Sequence, residues 1–109
     1  MLRTKSQVKN ICTDCGVART ADLVGDTFAL LIVRDLLDKP KRFGELESSL
    51  SGVSSRTISN KLKFLEEKNI VSRNEFKEKP PRVEYTLTDN GRALQRIIED
   101  MRSYGEKYL

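Results

Sequence analysis

The chain has 109 residues, and its 20 lysines and arginines against 16 aspartates and glutamates give a formal net charge of +4. This length predicts one domain with one hydrophobic core, and the mild basic excess is compatible with a polyanionic partner without identifying one. There is no histidine, so the commonest general base and the commonest metal ligand are both missing. No glycine-rich phosphate loop is present either. The sequence therefore predicts no enzyme activity, no catalytic residue, no metal site and no cofactor.

The sequence also carries expectations about location. Residues 1–5 are basic but no apolar run follows them, which argues against a signal peptide. No apolar segment reaches the length of a membrane span, and two cysteines are too few to staple a small secreted scaffold. A cytoplasmic protein without a membrane partner is expected.

The first 25 residues predict a polar arm and a short helix. Residues 1–17 are mostly polar, and we expect them to be ordered only if they pack on the rest of the chain. A helix is predicted over residues 19–25, with Leu23 and Val24 facing inward and Gly25 ending it.

The next segment predicts the central helix of the core. Asp26 or Thr27 can cap it, and it runs to about Leu37 with apolar residues on nearly all sides. Phe28 is expected to fill a core position in its first turn. Pro40 stops the helix, because proline disfavours helical conformation at the residue before it.

A helix-turn-helix is predicted over residues 43–69. Residues 41–43 are expected to form a short strand, and a helix follows over residues 43–50. A short turn containing Gly52 leads to a second helix that begins at Ser54, a good N-cap because its hydroxyl can accept from a first-turn amide. Two helices joined by a short turn with glycine are the signature of this motif.

The two faces of the second helix differ in character. Ile58, Leu62 and Leu65 recur at i, i+4, i+7 and predict the buried stripe. The other face has short polar side chains and cations, and no acid: Ser55, Arg56, Ser59, Asn60 and Lys63. Such a face can enter a DNA major groove and contact base edges. The same face is also compatible with a solvated surface on an ordinary packed helix.

A β-hairpin is predicted directly after the second helix, with Asn69 as a left-handed cap between them. The strands are expected over residues 70–77 and 82–88, and the second alternates with Val83, Tyr85 and Leu87 facing inward. A hairpin in this position is a wing beside the second helix. It carries the cations Arg73, Lys77, Lys79 and Arg82.

The last helix is expected to begin at Thr88 or Asp89 and to run to the C-terminus. Its apolar residues form one long stripe: Leu94, Ile97, Ile98, Met101, Tyr104 and Tyr108. The stripe could pack back on the chain's own core. We favour burial against a second copy of the chain, because an exposed apolar stripe of this length usually marks an interface.

The two cysteines form a Cys-x-x-Cys motif at Cys12 and Cys15. They could be inert reduced thiols, a thiol switch, or half of a zinc site completed across a dimer. Arg19 nearby could lower the pKa of a thiol. A thioredoxin-like function is not supported, because no βαβ pattern surrounds the motif.

Several blocks of the sequence resemble the HxlR-type winged helix-turn-helix regulators. In chain order they are CGV at 15–17, DLVG at 22–25, LLIVRDL at 30–36, KRFGEL at 41–46, GVSSRTIS at 52–59, PPRVEY at 80–85 and LTDNGR at 87–92. The resemblance covers nearly the whole chain from Cys12. It implies a homodimeric transcription regulator that binds a palindromic DNA operator, with dimer contacts from the terminal helices.

The chain departs from the family pattern at two places. Residues 26–28 read Asp-Thr-Phe where the family usually has Gly-Lys-Trp, and Gly16 stands where the family has the proline of Cys-Pro-Val. Cys12 is an additional thiol. Some members of the family resemble redox or electrophile sensors that work through the cysteine matching Cys15. The resemblance therefore adds to the thiol-switch interpretation, and the inert and zinc-binding alternatives stay open.

The combined expectation is an α+β, mainly α fold. The segments are an arm at 1–17, the helix-turn-helix at 43–69, the wing at 70–88 and a dimerisation helix at 89–109. Ser55, Arg56, Ser59 and Asn60 are expected to read bases and Lys63 with the wing cations to hold phosphates; Ser54 and Thr57 complete the DNA-binding set. The alternative is a winged-helix module that binds protein, whose contact face should be apolar or aromatic instead. No effector, operator sequence or target gene is predicted.

Overall fold

Seven helices and a two-stranded sheet form the described part of the chain. The structure is a computed structural model that describes residues 2–11 and 15–109, so the predicted thiol Cys12 lies outside the described residues. The elements in chain order are α1 Lys5–Asn10, α2 Gly16–Val24, α3 Thr27–Asp38, α4 Phe43–Ser49, α5 Ser55–Glu67, β1 Val71–Phe76, β2 Arg82–Leu87, α6 Asp89–Arg92 and α7 Gln95–Tyr108.

Helix α3 lies at the centre of the core, as its composition predicts. The Asp26 carboxylate caps it by accepting from the Ala29 amide at 3.1 Å. Its buried residues fall at i, i+3, i+4, i+7 and are Ala29, Ile32, Val33 and Leu36. The expectation for Phe28 is wrong: this side chain is 38% exposed, because it lies to one side of that stripe in the first helical turn.

Helices α4 and α5 confirm the predicted helix-turn-helix. The turn between them places Gly52 at φ 92°, a left-handed conformation that glycine adopts without steric cost. Ser54 caps α5 by accepting from the Thr57 amide at 3.1 Å. The predicted stripe of α5 is buried in the core and consists of Ile58, Leu62 and Leu65.

The short strand expected at residues 41–43 is reduced to one bridge. Lys41 exchanges two backbone hydrogen bonds with Tyr85 of β2, at 3.1 and 2.8 Å. Phe43 already belongs to α4, because the Arg42 amide donates to the Glu45 carboxylate and fixes the start of the helix there.

The hairpin is confirmed close to its predicted bounds. Strands β1 and β2 are antiparallel and pair from Val71 with Leu87 to Phe76 with Arg82. Asn69 has a φ of 58°, as expected for a left-handed residue after α5. Tyr85 and Leu87 face the core, so the predicted alternation of β2 is borne out.

The N-terminal arm contains a helix that the sequence interpretation missed. Thr4 and Gln7 form a reciprocal capping box at the start of α1. Arg3 then fastens the arm to α2 by pairing with Asp22, with Nε donating to Oδ1 at 2.7 Å. This hydrogen bond lowers the pKa of Asp22 from its ordinary value.

The C-terminal segment forms two helices instead of the one expected. Helix α6 ends at Arg92, and α7 begins at Gln95 after a turn at Ala93 and Leu94. Thr88 precedes α6 and makes a joint: its hydroxyl lies 2.6 Å from the Asn69 carbonyl and accepts from the Gly91 amide at 3.1 Å. The joint connects the residue after α5 to the start of the C-terminal helices.

Among the described residues, no helix combines the length and the apolar character needed to cross a membrane.

Candidate nucleic-acid interface

The outer face of α5 presents side chains that the fold leaves available. Arg56, Asn60 and Lys63 are exposed. Within residues 2–11 and 15–109, none of the three takes part in a side-chain hydrogen bond or an ion pair. In particular, Arg56 forms no ion pair with Glu47 of the neighbouring helix α4. This face can therefore donate to an external polyanion without breaking a contact of the fold.

Other predicted residues on α5 are engaged within the protein. The Ser55 hydroxyl donates to the Glu47 carboxylate of α4. The Ser54 hydroxyl donates to the Thr57 hydroxyl at 2.9 Å, in addition to its capping role. Ser59 is half-buried. These side chains shape the N-terminal end of α5, and Glu47 of α4 places one carboxylate beside it.

The inner side of α5 is tied to the start of α3 by an ion pair. The Lys61 ammonium binds the Asp26 carboxylate, whose side chain is only 10% exposed. Burial acts to raise the pKa of Asp26, but Lys61 and the Ala29 amide outweigh it, and the pKa lies below its ordinary value of 3.8. This role of Lys61 cannot be predicted from the sequence, because a contact between residues so distant in sequence leaves no local pattern.

The wing cations divide into two kinds. Lys77 and Lys79 are exposed and make no ion pair in the described part of the chain. Arg73 instead binds Glu75 at 2.6 Å, and the pKa of Arg73 is raised by this hydrogen bond and by one with Tyr85. The wing is thus less cationic towards a ligand than its count of lysines and arginines indicates.

Arg82 is the most constrained of the wing cations. Its guanidinium lies 4.3 Å from the centre of the Phe76 ring and pairs with Glu78 at 3.1 Å. A longer contact of 3.8 Å reaches Glu84. The predicted contact of Arg82 with DNA stays a prediction, and it would have to compete with these contacts because the guanidinium is already held within the hairpin.

The apolar stripe of the last helix divides between two faces. Leu94 and Ile98 are 7% and 6% exposed and belong to the chain's own core, so their assignment to a dimer interface needs correction. Met101, Tyr104 and Tyr108 remain exposed, and Ile97 is half-buried. The two groups lie on adjacent sides of α7, one against α3 and the other outward. The i, i+3, i+4, i+7 spacing in the sequence includes residues from both sides, so it predicts a single stripe.

Cys15 is half-buried and occupies the N-cap position of α2. The second thiol of the Cys-x-x-Cys motif, Cys12, lies outside the described residues, so the inert, switch and zinc interpretations stay predictions. No group of three or more potential metal ligands occurs in the part of the chain that the structure describes.

The architecture defines a class of protein. A helix-turn-helix followed by an antiparallel hairpin beside its second helix is a winged helix-turn-helix, here with additional terminal helices. The chain has structural similarity to the reduced form of the transcriptional regulator YodB from Bacillus subtilis, with a TM-score of 0.77 and 35% identity over 86% of this chain and 93% of that one. It is also similar to the redox regulator HypR in its oxidized form, with a TM-score of 0.82 and 33% identity over 87% and 98% of the two chains.

Sequence comparison gives the same result. The HTH-type transcriptional regulator BH0655 of Halalkalibacterium halodurans is 37% identical over 108 residues, which cover 98% of this chain and 95% of that protein. The model of the HxlR-like helix-turn-helix family matches residues 23–109. The chain belongs to this family, as its sequence motifs predict, and it is a transcriptional regulator of the HxlR type.

Proposed function

We propose that this regulator binds a palindromic DNA operator as a homodimer and reads bases with the N-terminal half of α5. The observation that carries the proposal is the outer face of α5, where Arg56 and Asn60 lie one turn apart and have no partner among the described residues. Arginine can donate two hydrogen bonds to guanine, and asparagine can pair with adenine. A protein-binding face would instead be expected to show apolar or aromatic side chains.

The remaining polar residues have supporting roles in this proposal. Lys63 on α5 and Lys77 and Lys79 on the wing hold phosphates, since they are exposed and carry no internal partner in the described ranges. Ser55 and Ser59 contribute short polar contacts beside Arg56. The phosphate contacts of the lysines fix the register of the protein on the duplex, whereas contacts to base edges determine the sequence preference.

The dimer is proposed to form through the outward side of α7. Met101, Tyr104 and Tyr108 are exposed, and the two tyrosine rings lie 5.0 Å apart in a tilted arrangement. With Ile97 they form an apolar surface on a helix that has its other side in the core. A two-fold dimer built on this surface would present two copies of α5 to half-sites about one helical turn apart, ~34–36 Å.

The dimer is tested by replacing Ile97 and Met101 together with glutamate. We expect a monomer in analytical ultracentrifugation and a large loss of operator affinity, because two carboxylates would have to be buried in the interface. The matched control is Gln95→Glu with Ser103→Glu, which adds the same charge at exposed positions on other sides of α7. An unchanged mass for the first variant would exclude this interface.

We further propose that oxidation of Cys15 changes operator affinity. The support is its position at the N-terminus of α2, where thiol pKa values are commonly lowered, together with the similarity to the redox regulator HypR. Helix α2 leads directly into α3, so a change at Cys15 can reach the core helix behind α5. Operator binding is measured with and without a thiol oxidant in the wild type and in Cys15→Ser. Equal binding in all four conditions would leave Cys15 as an inert thiol.

A further inference from the structure

The tip of the wing is folded around one arginine. Residues 77–81 connect β1 to β2, and the Glu78 amide donates to the Phe76 carbonyl at 2.9 Å, which turns the chain sharply after β1. Arg82 is the first residue of β2 and pairs across the strands with Phe76. Its guanidinium carbon lies 4.3 Å from the centre of the Phe76 ring. A cation over an aromatic face at this distance is attracted by the ring.

Two carboxylates approach the same guanidinium from the loop and from β2. Glu78 in the loop binds it at 3.1 Å, and Glu84 on β2 lies 3.8 Å from it. The side chain of Arg82 is 29% exposed, and its Nε is buried without a hydrogen-bond partner among the described residues. The ring and the two carboxylates therefore hold the group within the hairpin, and a phosphate that approached it would compete with these glutamates.

We propose that Arg82 is a positioning residue that holds the wing tip in the shape that presents Lys77 and Lys79 to DNA. Arginine suits this role because its planar guanidinium can stack on a ring and bind two carboxylates at its edges, which a lysine ammonium cannot do. The proposal rests on the proposed DNA-binding function. It reassigns Arg82 from a phosphate contact to a support, and it makes Glu78 and Glu84 part of the DNA-binding machinery.

For the removal of Glu78, this assignment predicts a change in DNA affinity opposite in sign to the change that charge repulsion alone predicts. Removing an acid from a DNA-binding surface should strengthen binding, because it removes repulsion from the phosphates. If Glu78 holds Arg82 and thereby the tip, its removal should weaken binding instead. The change Glu78→Gln is nearly isosteric, so it tests the charge with little change of shape.

The primary experiment compares Glu78→Gln with Glu75→Gln. Both remove one carboxylate from the same hairpin, but Glu75 binds Arg73 and does not contact Arg82. We expect Glu78→Gln to weaken binding of a selected operator by ~3–5-fold, the scale of one partly exposed ion pair. Glu75→Gln should bind as tightly as the wild type or tighter. Tightening in both variants would overturn the proposal.

A second experiment uses the conservative variant at Arg82 itself. If Arg82 held a phosphate, Arg82→Lys would retain most of the affinity; as a positioning residue it should lose nearly as much as Arg82→Ala. Combining Arg82→Ala with Lys79→Ala should cost less than the sum of the two single changes, because Arg82 acts through the same tip. Additive losses, or wild-type binding by Arg82→Lys, would overturn the proposal.

The controls separate this proposal from the function on which it rests. The thermal unfolding midpoint of each variant is measured to check that its fold is intact. If Arg56→Ala and Lys79→Ala leave DNA binding unchanged, the proposed function fails. If those variants lose affinity while Glu78→Gln gains it, the proposed function stands and only the positioning role of Arg82 is overturned.

Discussion

Helix α5 and the wing both carry several cationic residues, but the cations on the outer face of α5 are unpaired in the described part of the chain, whereas the wing arginines are paired with glutamates. On α5, Arg56 and Lys63 point outward without an acidic partner in the described part of the chain, and the ion pair of this helix, Lys61 with Asp26, lies on the inner side. On the wing, Arg73 and Arg82 are paired with glutamates at the surface itself.

The difference shows that a count of basic residues does not measure the charge available to a ligand. The carboxylates on the wing pair with the arginines, whereas on the outer face of α5 the exposed Glu67 in the last turn forms no ion pair in the described part of the chain, and Glu47 of α4 at the edge of this face accepts from Ser55. The ion pair behind α5 connects it to the start of α3, and the contacts of Arg82 within the wing are proposed to fix the shape of its tip. Each can be tested separately.

The largest expected effect concerns how much a side chain of each region contributes to the free energy of unfolding. Leu62 on α5 is 1% exposed, and Leu62→Ala should lower the free energy of unfolding by ~2–5 kcal/mol, because a buried cavity is left behind. Phe76→Ala on the wing should cost about 1 kcal/mol or less, since that ring is partly exposed. Chemical denaturation of both variants measures the difference. Similar costs would show that the wing shares the core stability of α5.

The second prediction concerns base reading by α5. Arg56→Ala should relax the preference at one symmetric pair of operator positions by ~1–3 kcal/mol, because a bidentate contact to guanine is lost. Binding to a panel of operators with single-base changes measures this loss, and Lys63→Ala serves as the control for a phosphate contact. A uniform loss across the panel for Arg56→Ala would assign Arg56 to the phosphates as well.

These assignments show what the sequence can predict. The helix-turn-helix follows from Ser54 as a cap and from the spacing of Ile58, Leu62 and Leu65, because both are local features with a fixed period. The hairpin follows from the alternation of β2 in the same way. Such patterns depend only on residues that are close in sequence, so they can be recognised before the rest of the fold is known.

The pairing of charges could not be predicted by the same means. Arg82 meets Phe76 because of the strand register, and Lys61 meets Asp26 through the packing of α5 on α3. The two sides of α7 were combined into one stripe because helical periodicity does not indicate which side meets the core. Helix α1 was missed because its only apolar residue is Val8, although Thr4 and Gln7 carry a capping box.

The third prediction concerns the ion pair behind α5. Asp26→Asn removes the charge but keeps a good N-cap, so near neutral pH it should cost ~0.5–1 kcal/mol of stability. Because the folded pKa of Asp26 lies below its ordinary value of 3.8, this contribution is present above that pH and is lost as the pH falls through the folded pKa. Unfolding free energies of both proteins across this range measure the difference. A difference independent of pH would exclude the ion pair as its cause.

The smallest expected effect concerns a single wing lysine. Lys79→Ala should weaken binding to every DNA sequence alike and lower the slope of log affinity against log salt by about one. Titrations at ~50 mM and ~200 mM salt measure this slope. Lys5→Ala is the control, since Lys5 lies on α1, which packs near Lys68 at the opposite end of α5. Loss confined to particular sequences would show that the wing reads bases.

The joint at Thr88 bears on how a signal could travel through this protein. Its hydroxyl connects the Asn69 carbonyl, immediately after α5, to the Gly91 amide of α6. A side chain at Gly91 would collide with the Ile70 carbonyl, so the two segments lie as close together as backbones allow. The hairpin between them is therefore closed at its base by this contact and by the hydrogen bonds of Thr88. In the proposed dimer, a change in the crossing angle of the two α7 helices would be passed through this joint to the separation of the two α5 helices.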